Sequence, residues 1–109
     1  MATEKKLGKI KKVWLGMGGY QEAMFGITFD LGGESWGIGD FWGYWADRSS
    51  HAEWTVQDQE IALGKMALRI CTLLKDAKKD DISKLVGVPV EVTLDNGSRQ
   101  SWRVLTEVV

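Results

Sequence analysis

With 109 residues, 44% of them hydrophobic and 27% charged, the chain has the length of one domain (residues 1–109) and enough apolar material for one modest core. A net charge of −1 and a pI near 5.8 argue against a nucleic-acid or anionic-membrane binder that is basic overall. One histidine and one cysteine exclude the familiar His/Cys zinc sites and an intramolecular disulfide.

The charge is uneven. Lys5, Lys6, Lys9, Lys11 and Lys12 stand against Glu4 in residues 1–12, whereas residues 13–54 carry Glu22, Asp30, Glu34, Asp40, Asp47 and Glu53 against Arg48. A solvated first strand whose lysines keep a sheet edge soluble is preferred to a phosphate-binding arm. No apolar run is long enough for a membrane span and the first residues lack a signal-peptide core, so a cytosolic protein is expected.

In chain order, "KIKKVWL" (9–15) predicts a strand with one wet face, and "GMGGYQEA" a glycine-marked turn. Ala23, Phe25, Ile27, Phe29 and Leu31 then alternate with more polar or smaller residues, the period of a half-buried strand with odd positions inward. Gly32-Gly33 predicts a tight turn through positive φ. "SWGIGDFW" returns antiparallel, with Trp36, Ile38, Asp40 and Trp42 on one face and Gly37, Gly39 and Phe41 on the other, a shelf open to a ring or another backbone. Thr55 opens a long helix through a capping box with Asp58. Its apolar stripe runs through Leu63, Met66, Ala67, Ile70, Leu73, Leu74 and Ala77, with Cys71 read as a small core residue and Gly64 as a point of close packing.

"DDISKLVG" predicts a short helical turn stopped at Gly87. Val88, Val90, Val92 and Leu94 form a strand, Asn96-Gly97 a type I′ hairpin, and Ser98–Val109 the returning strand with Trp102, Val104, Thr106 and Val108 on one face. The plan is β-β-β-α-β-β: an α+β fold in which one long helix packs on an antiparallel sheet of about five strands.

Chemistry is sparse. His51 has no partner in a nucleophile motif, the glycine runs lack a phosphate-loop ending, and no spacing pairs two carboxylates as acid and base, so neither catalytic residues nor a metal or cofactor is expected. The six tryptophans say more. Trp14, Trp54 and Trp102 are read as core; Trp36, Trp42, Tyr44 and Trp45 are too many to hide under one helix. Trp36, Trp42 and Trp45 with Tyr20, Gln21, Asp40 and Arg48 form a candidate ligand surface for a flat, nucleotide-like molecule: stacking on rings, hydrogen bonds read by Asp40 and Gln21, and Arg48 or the N-terminal lysines toward phosphate. The same residue types suit a protein interface or homo-oligomer packing. Stacking on single-stranded nucleic acid is disfavoured by the acidic segment around them.

"GGYQEAMFGITFDLGG", "SWGIGDFWG" and "LVGVPVEVTLDNGSRQSWRVLTEVV" resemble a family of small proteins encoded by tailed bacteriophages, over most of the chain from Ile10 onward. The resemblance implies no activity. By analogy with the small proteins such phages use against host defence, it implies a homo-oligomeric accessory protein in the host cytoplasm that sequesters a nucleotide signal or masks a host enzyme.

Overall fold

In a computed structural model, residues 3–49 and 51–109 are described, Gln100 by its backbone alone. Five strands, β1 (Thr3–Gly18), β2 (Met24–Gly32), β3 (Gly37–Trp45), β4 (Pro89–Asp95) and β5 (Ser98–Val104), form one antiparallel sheet in the order β3-β2-β1-β4-β5, with the helix α1 (Val56–Ala77) packed on it. The α+β plan expected from the sequence is the plan observed.

The first strand is longer than its sequence suggested, and it is central. Its first half, Thr3–Lys9, pairs with β4, and its second half, Lys9–Gly18, pairs with β2, with a break in register between Ile10 and Lys12. An extra residue on one strand bends and twists it. The lysines therefore do not guard a sheet edge; the edges are β3 and β5. Residues 3–8 carry no apolar alternation that would extend the strand expected at 9–15 back to Thr3.

This bend curls the sheet until its two edges meet through side chains. Asp40 on β3 is bonded to Arg99 and Trp102 on β5. Rows of inward residues run across the curl: Ile10/Leu31/Ile38, Val13/Phe29/Asp40 and Leu15/Ile27/Trp42 on one half, with Val90, Val92, Leu94 and Val104 on the other. Ile10, Ile27, Phe29, Leu31, Leu85, Val90 and Val92 are completely buried. The helix packs against β3 and β5 and so covers the gap between the two edges. It buries Met66, Leu73 and Ala77, with Leu63, Ile70 and Leu74 half-buried beside them.

Local details confirm some expectations and correct others. Thr55 accepts from the Asp58 amide at 3.1 Å while Asp58 accepts from the Thr55 amide at 2.8 Å, the full capping box. Asn96 (φ 52°) and Gly97 (φ 82°) make the hairpin turn. Gly32 and Gly33 do not adopt positive φ; they are needed because a Cβ would lie 2.3 Å from the Trp36 carbonyl oxygen and 2.5 Å from its indole nitrogen, respectively. Ala67 and Cys71 are exposed rather than in the core, and nothing approaches Gly64. Trp14 lies on the outer sheet face, 39% exposed, beneath Lys12. The last strand stops at Val104; Thr106–Val108 is a 3-10 turn, and Val108 is exposed.

Candidate functional site

The residues proposed from sequence do not converge. Tyr20 and Trp45 meet edge-on at 6.1 Å beside Gln21, at one end of β3. Trp36 precedes the other end, nine residues of extended chain or on the order of 25–30 Å away, and packs its face near Lys6 and Gly8. Arg48 turns back on its own loop, donating to the Trp54 carbonyl at 2.6 Å and the Ala52 carbonyl at 3.4 Å. Gly37 and Gly39 do form an exposed shelf, with only a backbone oxygen at 3.7 Å from each Cβ position, but it faces away from Asp40 and Trp42.

Asp40 and Trp42 lie inside the curl. Alternation along β3 points both inward, and there they meet Trp102 of β5. One Asp40 oxygen accepts from the Trp42 indole at 2.9 Å and from the Trp102 indole at 2.7 Å; the other accepts from the Phe41 amide at 2.8 Å and pairs with Arg99 at 3.2 Å. The carboxylate, with only 8% of its side chain exposed, is thus satisfied by four donors and joins the two edges. Trp42 and Trp102 stack at 5.7 Å and 16°, and Phe29 tilts against both at 4.7 and 5.0 Å.

Where this aromatic layer reaches the surface, α1 and β5 leave a cleft of about 230 Å³. Trp42, Trp102, Leu73 and Val104 supply its apolar lining; Arg69, Thr72 and Asp76 line it from the helix and Arg103 from the strand. The guanidinium of Arg69 lies 4.1 Å from the Trp42 ring centroid, a cation–π stack. Among the described residues Arg69 has no hydrogen-bond acceptor, and Asp76 has no donor. Arg103, by contrast, is committed: it pairs with Glu91 at 3.2 Å and forks onto both oxygens of Glu107 at 2.9 and 3.0 Å. That hydrogen bonding holds Glu107 down to about 2 and raises Arg103 further.

Sequence reasoning missed this constellation. Arg69, Thr72 and Asp76 recur at three- and four-residue steps beside the apolar stripe, which marks one helix flank but reads equally as a solvated face. Trp102 was read as core, and half its role is that. No group of three or more His, Cys, Asp or Glu side chains among the described residues is placed to hold a metal ion. Likewise, no described helix is long and apolar enough to cross a membrane. Compared with protein-family models, with curated proteins and with solved structures, the chain matches none.

Proposed function

We propose that the chain is a non-catalytic binding protein that takes the ring of a nucleotide-like, anionic molecule into the cleft between α1 and β5. One observation carries this reading. The guanidinium carbon of Arg69 lies 4.1 Å from the Trp42 ring centroid at the cleft, and its donors are unmatched among the described residues, so it is placed to receive a phosphate or carboxylate. Asp76 offers an acceptor for ring or ribose hydrogens, and Leu73, Trp102 and Val104 offer apolar contact. At about 230 Å³ the cleft suits a heterocycle, with the remainder of the ligand lying on the surface. In the setting that the phage resemblance implies, such binding serves sequestration in the host cytoplasm: slow release matters and turnover does not. Thermal-shift and calorimetric titration with cyclic and ADP-ribose-type nucleotides tests it. A stabilising, stoichiometric ligand is expected, weakened at least about tenfold by Arg69→Ala; no shift with any of them would sink the reading.

A second reading rests on a different surface. Leu15 and Met17, 48% and 52% exposed at the end of β1 on the face they share with Ile27 and Phe25, suit a protein partner, such as a host enzyme to be masked. A pull-down from host lysate that yields one stoichiometric protein, lost on Met17→Glu, separates it from the first.

A further inference from the structure

The side of α1 that faces away from the sheet carries a second apolar seam. Ile61 and Leu68 are 50% and 69% exposed, and Cys71 is exposed as well. With Gly64 they occupy positions 61, 64, 68 and 71, the alternating three- and four-residue spacing of a coiled-coil seam. At about 100° per residue they lie opposite buried Met66, Leu73 and Ala77. The space where a Gly64 side chain would be is open.

We propose that α1 pairs antiparallel with the α1 of a second copy of this chain, about a two-fold axis beside residue 66. Leu68 of each copy then fills the space over Gly64 of the other, and Ile61 packs against Cys71. A two-fold interface requires that residue i meet j while j meets i. Both pairs meet this condition with one midpoint, and each sets a large side chain against a small one. Charge selects the same occupant and direction. Glu53, Asp58 and Glu60 make the start of the helix acidic, whereas Lys75, Lys78 and Lys79 share its end with Asp76, Asp80 and Asp81, so an antiparallel pair sets each acidic start beside a lysine-bearing, neutral end instead of a second acidic start, and opposes the helix dipoles. Lys65 lies about 80° round the helix from the seam and stays in water. The single chain also exposes more surface than its mass calls for: 7075 Å² where a 12.2 kDa monomer has about 6,100 Å².

Sedimentation and oxidative cross-linking of the full chain test this. Wild type is expected at twice the 12.2 kDa chain mass. Leu68→Glu, which buries a carboxylate without a partner, weakens association by on the order of 100-fold or more while far-UV circular dichroism is unchanged. Ile61→Cys supplies a register test. Positions 61 and 71 of one helix are about 15 Å apart, too far for a disulfide, so a covalent dimer through Cys71 forms only between copies. Under the same oxidant wild type stays uncross-linked, because its two Cys71 residues also lie about 15 Å apart along the axis. A wild-type monomer at the highest soluble concentration, a dimer that survives Leu68→Glu, or a wild-type Cys71–Cys71 cross-link would each overturn the proposal.

Discussion

Asp40 is the residue on which the most structure depends. As an ion it accepts two indole N–H groups, a backbone amide and an arginine, tying β3 to β5 across a curl that no backbone ladder closes. Asp40→Ala strands those donors in a largely buried place and is expected to cost about 3–5 kcal/mol in urea unfolding, whereas Asp40→Asn retains an acceptor and costs less. The glycines divide as sharply. A Cβ on Gly26 would lie 2.1 Å from the Trp42 carbonyl oxygen, and one on Gly43 would lie 2.2 Å from the Phe25 carbonyl oxygen; one on Gly39 would touch nothing closer than 3.7 Å. Gly26→Ala is therefore expected to lower stability by about 2 kcal/mol or more, and Gly39→Ala to stay within about 0.5 kcal/mol, in paired thermal melts. The sequence showed that glycine and tryptophan share this hairpin. It could not show which glycines bear strand against strand, because that depends on local twist rather than on alternation.

At the scale of elements, α1 was the most legible. Its capping box and apolar stripe are written in local spacing, and Thr55→Ala should cost about 1 kcal/mol of stability. Its ending was less legible: Lys78 adopts the left-handed conformation (φ 57°) usually left to glycine, so Lys78→Gly is expected to raise the melting temperature by the equivalent of roughly 0.5–1 kcal/mol. The chain end was misread as strand because Val104, Thr106 and Val108 continue the alternation, while the turn there is fastened by the Arg103–Glu107 fork. Hydrogen bonding to Arg103 lowers Glu107 from 4.5 to about 2, so the folded state binds its proton more weakly than the unfolded chain. This contribution is present above pH 4.5 and is lost as pH falls toward 2. Carboxyl chemical shifts should give a midpoint near 2 for Glu107, and Glu107→Gln should remove that part of the acid dependence.

For the whole molecule, the helix-on-sheet plan was legible because each element announces its own period. The curl was not, since it arises from a break in register at Lys11 and from a carboxylate meeting residues about sixty positions later. That curl decides the site. It draws Asp40 and Trp42 inward, separates Trp36 from Tyr20 and Trp45, and brings Trp102 and Arg103 to the flank of α1 that bears Arg69 and Asp76. The radius of gyration, 15.1 Å against about 13 Å for a compact chain of this length, agrees with a thin, open fold, 19 Å in its shortest dimension.

Entry of the proposed ligand between α1 and β5 can be followed through the indole N–H signals of the six tryptophans during titration with the nucleotide that gives the largest thermal shift. The Trp42 and Trp102 signals should move in saturable fashion while Trp36 and Trp45 stay fixed, and Arg69→Ala should abolish the response. Movement of Trp36 or Trp45 with Trp42 and Trp102 unchanged would place the ligand elsewhere and rule out the cleft between α1 and β5.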